Sequence, residues 1–147
     1  MSTAADTTHE DQIRALIDKR VEAVRSRNVN AATSSLDPDV LSFDVVGPLQ
    51  FTGADGSRKR AEEWFSSFQG AIDYEISDLK ITAGHDLAFA HGLSHVRATQ
   101  TNGGTLDMWW RTTICFTRDD GQWLVQHEHN SVPFEAASGK AAVDLKP

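Results

Sequence analysis

The stretch from Thr105 to Phe134, TLDMWWRTTICFTRDDGQWLVQHEHNSVPF, reads as two long strands folded back on each other at Asp119-Asp120-Gly121. Trp109, Arg111, Thr113 and Cys115 alternate along the first strand, and Trp123, Val125, His127, His129 and Ser131 along the second. Side chains of a strand alternate between its faces, so each set belongs to one side of the sheet. A three-residue loop, Asp119 to Gly121 with glycine at the left-handed position, is the expected turn; it sets Thr113 opposite His127 and Arg111 opposite His129. A two-residue Asp120-Gly121 turn slips that pairing by one and brings Trp110, Thr112 and Ile114 to the histidines instead. The expected register gathers Arg111, both imidazoles and the hydroxyls of Thr113 and Ser131 on one face, the makings of a polar pocket floor.

Upstream the strand character continues. Segments Ile72–Ile81, Leu87–Thr99, Thr105–Thr117 and Gln122–Ser131 are separated by Gly84-His85-Asp86, Asn102-Gly103-Gly104 and Asp119-Asp120-Gly121, hairpin signals in succession. Before them the pattern is helical. Thr7 with Glu10 fits a capping box, followed by Ile13, Leu16, Ile17, Val21 and Val24 at helical spacing as far as Asn28. Asn30 caps a short second helix to Leu36, stopped by Asp37-Pro38, and Val40–Val46 reads as a strand closed by Gly47-Pro48. Leu49–Thr52 continues as a short paired segment, and Ser57–Gln69 is a helix with Ala61, Trp64, Phe65 and Phe68 on one face. Residues 1–7 and 135–147 read as tails of a single domain spanning 1–147.

Helices gathered before a long antiparallel meander predict an α+β domain, with a curved sheet wrapped around N-terminal helices and a conical cavity between them. The sheet's convex face is expected to carry spare apolar or small residues that favour a dimer.

At 147 residues, with 39% hydrophobic and 24% charged residues, the chain suits one globular domain with a real core. No apolar run approaches the roughly 20 residues of a membrane span, and the polar, acidic start MSTAADTTHEDQ is no secretory signal. A net charge of −7 argues against a nucleic-acid partner. The cluster Arg58-Lys59-Arg60 is answered at once by Glu62-Glu63 and reads as a solvated helix start. Cys115, the only cysteine, forms no intrachain disulfide and reads as a small buried hydrophobe. The expected location is cytoplasmic.

Trp109, Arg111 and Thr113, then Asp120-Gly121 and Trp123, then His127-Glu128-His129, Ser131, Pro133 and Phe134 resemble the SnoaL-like, ketosteroid isomerase homologue branch of the nuclear transport factor 2-like superfamily. Gly139-Lys140 and Asp144-Leu145-Lys146-Pro147 match that branch's tail. The resemblance covers nearly the whole chain and implies a curved-sheet cone, a pocket at its open end and usually a homodimer. The superfamily hosts isomerases, cyclases, hydrolases and dehydratases as well as modules that only bind, so the fold alone assigns no chemistry. The steroid-isomerase mechanism needs a carboxylate base with a tyrosine and a protonated aspartic acid. Here Asp44 and Asp107 are candidate bases, Tyr74 is the only tyrosine, and the full set is not recognisable.

Of the six histidines, His91, His95, His127 and His129 fall on expected strands, whereas His9 and His85 sit at a helix start and a turn and are expected to be exposed. In one reading His129 and His127 exchange protons with a small organic substrate, Arg111 clamps an anion or developing oxyanion, and Asp44 is an auxiliary base. Trp109, Trp64 and Phe68 then supply apolar walls, with Thr113, Ser131, His91 and His95 as further contacts. In a second reading the same residues bind a ligand without chemistry. A third gives His127-x-His129 a metal, although Arg111 opposite would repel the cation. In the last, the histidines only hydrogen-bond within the sheet. The expected function is a cofactor-independent isomerase, cyclase or dehydratase acting by proton transfer on a hydrophobic carbonyl compound, with no metal. The alternative is a non-catalytic ligand-binding or protein-association module.

Overall fold

The computed structural model describes residues 4–147, with side chains from Thr8 onward. Helix α1 (Ala4–Arg25) leads, followed by α2 (Val29–Thr33), strand β1 (Leu36–Phe43), the short β2 (Phe51–Thr52) and helix α3 (Ala54–Ser66). The meander then runs β3 (Phe68–Ala83), β4 (Leu87–Gln100), β5 (Thr105–Asp119) and β6 (Gln122–Ser131). All belong to one unclosed sheet of six strands in the order β2-β1-β6-β5-β4-β3. The α+β class and the curved sheet on N-terminal helices hold as expected.

The differences are local and physical. Helix α1 begins at Ala4, so Thr7 lies within it and does not cap it; the rest of the expected 1–7 tail, residues 1–3, lies outside the described residues. Asn28, not Asn30, caps α2, its Oδ1 accepting from the Ala31 amide at 3.1 Å. Strand β1 starts four residues earlier than Val40, running through Pro38, and ends before Asp44. Proline is tolerated there because β1 pairs regularly with β6 only from Leu41 onward. That pairing is parallel, with Leu41 beside His127, Ser42 beside Glu128 and Phe43 beside His129.

The apolar stripe of α1 delivers Ile13 and Ile17, which pack with Val40, Ile114, Phe116, Trp123 and Val125 in one buried cluster. A second cluster joins Phe65 of α3 to Phe68, Ile72, Val96 and Ala98. The small row of β4, Ala88, Ala90, Gly92, Ser94 and Val96, is the one that faces the helices. At Gly92 a Cβ would stand 2.7 Å from the Ile76 side chain and 2.9 Å from the Ser77 carbonyl, so only glycine fits. Register shifts at Gln69/Asp73 and Ser77/Lys80 bend β3, with Asp78 at φ 54. Strand β3 is the long edge of the sheet, with the two-residue β2 at the other edge.

The hairpin turn is the two-residue Asp120-Gly121, since Asp119 pairs with Gln122 and Arg118 with Trp123; the expected three-residue loop is corrected. A bulge then adds Gln126, and beyond it Cys115 pairs with His127, Thr113 with His129 and Arg111 with Ser131. Turn and bulge each shift the pairing by one residue, so Arg111 and the histidines do share a face. Trp123 and Val125, before the bulge, face the core instead.

The last residues fold back on the body: Phe134 bridges Ala141, and Ala142 is buried with its amide donating to the Pro133 carbonyl. His9 is buried as well, against expectation, with Nδ1 3.0 Å from the Gly84 carbonyl and its ring edge-on to Trp123.

Candidate functional site

Between the helices and the sheet's concave face lies a cavity of about 560 Å³, a size suited to a small organic molecule. Ile17, Val21 and Val24 of α1 and Trp64 and Phe65 of α3 form its roof. Its floor is the inward row of each strand: Tyr74 and Ile76, then Met108, Trp110, Thr112 and Ile114, then Glu128 and Asn130. Asp44, Arg60, Ala141 and Val143 are also in the lining, so the C-terminal segment expected as a surface tail contributes to the cavity wall.

The walls are mostly apolar, and the polar groups among them are bonded in series. The Tyr74 hydroxyl lies 3.1 Å from Ser94 Oγ, which lies 2.6 Å from Thr112 Oγ1; Thr112 in turn donates to Asn130 Oδ1 at 3.0 Å. Trp110 Nε1, which can only donate, holds the same Asn130 oxygen at 3.2 Å. The direction of the series follows. Thr112 has one proton and gives it to Asn130, so Ser94 donates to Thr112 and Tyr74 donates to Ser94. Ser94 and Thr112 are buried, where an unpaired hydroxyl costs about 1–3 kcal/mol, so the series also holds the sheet's interior together. Burial pushes the Tyr74 phenol up from its ordinary value, against smaller opposing effects of the Ser94 hydrogen bond and the Arg20 charge.

Arg20 stands on the otherwise apolar face of α1 and pairs through Nη2 with Oε1 of Glu128, both side chains largely shielded from solvent. Glu128 Oε2 has no hydrogen bond among the described residues. Arg20 Nε and Ser42 Oγ are likewise buried without partners among the described residues. At the other carboxylate, Asp44, both oxygens are engaged: Oδ2 with Arg60 at 3.1 Å and Oδ1 with the Val45 amide at 2.7 Å.

Of the residues singled out in the sequence, Asp44 and Trp64 line this cavity. Phe68 does not: α3 ends at Ser66, and Phe68 opens β3 in the core, edge-on to Trp64 at 5.2 Å. Arg111, Thr113, His127 and His129 are brought together, but on the outer face, because the inward partners across β5 and β6 are Thr112 with Asn130 and Ile114 with Glu128. There Arg111 Nε donates to Ser131 Oγ at 3.2 Å, His127 Nδ1 is held by the Leu41 carbonyl at 2.6 Å, and Phe43 packs edge-on against both imidazoles. Ser131 and His129 also line a second, more open hollow of about 590 Å³ with Asp44, Phe43, Pro133 and Phe134 at the sheet's end.

His91 and His95 share the outer face as well. His95 stacks on Trp109 at 4.2 Å and bonds Asp107 through Nε2 at 2.7 Å, which holds the Asp107 carboxyl below its usual range. Cys115 is half-buried beside His127, and burial pushes its thiol up, away from thiolate reactivity.

Ser94, Asn130, Arg20 and Ser42 were not picked out by sequence reasoning, and Tyr74, Thr112 and Glu128, though named there, were given no place in the pocket. The available signal was polarity in the wrong place: Arg20 continues the Ile13–Ile17–Val24 stripe, and Ser94 sits in a row of alanine and valine. For Glu128 and Asn130 the signal depended on the Gln126 bulge, which no residue of that strand announces.

The profile of the SnoaL-like domain family matches residues 13–135. No curated protein matches the chain. Among solved structures, an NTF2-like protein of unknown function from Pseudomonas putida KT2440 is 33% identical, with a TM-score of 0.87 over 96% of this chain and 98% of that one. A nuclear transport factor 2-like superfamily protein from Salmonella enterica serovar Typhimurium LT2 is 15% identical, with a TM-score of 0.78 over 92% and 98%. A candidate scytalone dehydratase from Novosphingobium aromaticivorans DSM 12444 is 11% identical, with a TM-score of 0.79 over 99% and 100%. The latter two share the fold with this chain. The chain belongs to the SnoaL-like family, within the nuclear transport factor 2-like superfamily.

Proposed function

We propose that the cavity binds a small hydrophobic carbonyl compound and moves a proton on it without a cofactor, as an isomerase, cyclase or dehydratase would, in the cytoplasm. One observation carries this reading: a carboxylate, Glu128, stands in a mostly apolar cavity with one oxygen on Arg20 and the other unengaged. Such an oxygen can take a proton from the carbon beside a carbonyl, and general-base assistance of this kind contributes about 10²–10⁴-fold. Asp44, with both oxygens occupied at Arg60 and Val45, is the weaker candidate. The candidate dehydratase among the structural neighbours is consistent with this class of chemistry.

The test uses the cavity's own tryptophans, Trp64 and Trp110, as fluorescent reporters of binding, and deuterium uptake beside the carbonyl as the reporter of proton transfer. Glu128→Gln is expected to slow uptake at least about a hundredfold while quenching persists. Arg111→Ala combined with His129→Ala is expected to leave both signals as in the parent. Uptake that survives Glu128→Gln, or that collapses in the outer-face variant, sinks the assignment. Binding with no uptake by the parent protein selects the non-catalytic alternative. The outer face, with Phe89 45% exposed and, further along the same row of β4, Leu93 and the Trp109–His95 stack, is proposed to receive a second copy of the chain.

A further inference from the structure

The neighbours of Asn130 settle which way its amide faces. The indole Nε1 of Trp110 can only donate, so the Asn130 atom 3.2 Å from it is the oxygen, Oδ1. Thr112 Oγ1 donates to the same oxygen at 3.0 Å, which fills both of its lone pairs. The amide is thereby pinned with Nδ2 turned away from these two donors of β5. Nδ2 has no hydrogen bond among the described residues, and it is not sealed off as Arg20 Nε, Ser35 Oγ and Ser42 Oγ are. Its protons are open to the space that Asn130 lines, where the cavity adjoins the hollow at the sheet's end; Asp44, Val45 and Ala141 border both.

Tyr74, the chain's only tyrosine, is not free for such a role, because the hydroxyl series commits its proton to Ser94. The guanidinium groups of Arg20 and Arg60 each stand on a carboxylate, Glu128 and Asp44. We infer that Asn130 Nδ2 is the donor that polarises the substrate carbonyl, in place of the tyrosine, while Glu128 Oε2 takes the proton from the neighbouring carbon. The inference rests on the Glu128 reading above and adds the second catalytic group. Glu128 and Asn130 are two apart on β6 and face inward together, about 7 Å from one another along the strand. A hydrogen bond of about 2.9 Å, ~2.4 Å from a carbonyl oxygen to the adjacent carbon, and an approach of about 3.2 Å reach about 8.5 Å, so a ketone spans the pair with its path bent. The C–H bond breaks toward Glu128, its electron pair becomes the new C=C bond, and the carbonyl pair moves onto the oxygen held by Asn130. The proton on Glu128 exchanges with solvent and returns to carbon, which restores the ketone. Donation by Trp110 and Thr112 into Oδ1 draws charge from Nδ2 and sharpens it as a donor.

The probe is 2-tetralone with ¹³C at its carbonyl, and tetralin, which lacks the oxygen, is the comparison. Bound to the parent protein at pH 8, the carbonyl stretch is expected below its value in hydrocarbon solvent. Asn130→Asp keeps an oxygen for Trp110 and Thr112 but has no N–H. In it the stretch should return to the hydrocarbon value and deuterium uptake should fall about a hundredfold or more. The ratio of tetralone to tetralin affinity, read by tryptophan quenching, should fall about tenfold. Should that variant not fold, the parent answers alone: the Asn130 side-chain amide protons move downfield with tetralone and not with tetralin. Amide signals that respond alike to both compounds overturn the assignment. So does a lowered stretch that survives Asn130→Asp and is lost in Tyr74→Phe or Arg20→Lys. Uptake with an unshifted carbonyl removes Asn130 and leaves the Glu128 reading standing; a shifted carbonyl without uptake removes Glu128 as base and leaves Asn130 as the carbonyl's partner. If tetralone does not quench up to its solubility, both fall.

Discussion

Tyr74 shows how much a single side chain can mean once its surroundings are known. From the sequence it was one aromatic near the start of a strand; in the fold it begins a relay of hydroxyls that crosses three strands to Asn130. Because burial raises its pKa, the folded protein holds the phenolic proton longer than the unfolded chain does. Stability from this group is therefore complete below the ordinary tyrosine range near 10 and is lost as pH rises toward the folded value. Melting temperatures between pH 8 and about 11 should fall more steeply in the parent protein than in Tyr74→Phe. Parallel curves would show that the phenol is not protected. The histidines teach the converse. His127 and His129 carried the most suggestive chemistry in the sequence, yet they lie against Phe43 on the far side of the sheet from the cavity. Residue type alone does not state which way a strand is turned.

At the level of elements, strand existence was plain and strand parity was not. The β4–β5 pairing runs without interruption from Leu87–Thr117 to Thr99–Thr105, and alternation read along it is reliable. In β6 the extra residue Gln126 reverses the alternation midway, so Trp123 and Val125 point in while His127 and His129 point out. Nothing in Val125-Gln126-His127 distinguishes a bulge from regular strand, because the cause lies in matching the short turn to the distant end of β5. The close approach of β3 at Gly92 is equally silent in sequence, although its consequence is sharp. A methyl group there meets Ile76 and the Ser77 backbone at under 3.0 Å, and overpacking of this kind costs about 1–3 kcal/mol. Gly92→Ala should lower the denaturant midpoint by a corresponding amount, whereas Gly103→Ala meets no neighbour and is strained only by its φ of 89. A Gly92→Ala midpoint equal to the parent's would mean that β3 yields more easily than its packing suggests.

For the whole molecule, the order of helices before meander was enough to foresee a curved sheet closed over a cavity, since an amphipathic helix and a one-sided sheet have few other ways to bury their faces. The parallel return of β1 beside β6 and the fold-back of the C-terminal segment were not legible, as both depend on contacts made late in the chain by residues early in it. The proposed pairing of two copies through the outer face has a direct measure. Sedimentation should give twice the chain mass, and Phe89→Asp should return it to the single chain; a parent protein sedimenting as one chain would remove the proposal. The free edge at β3 bears on the same question. It is long and unpaired on one side, the kind of border along which identical chains zip into ribbons. Its bends at Gln69/Asp73 and Ser77/Lys80, and the acidic side chains of Asp73, Glu75 and Asp78 along it, deny such growth a straight template. Concentrated solutions of the protein should accordingly resist fibril formation for as long as those kinks and charges stay in place.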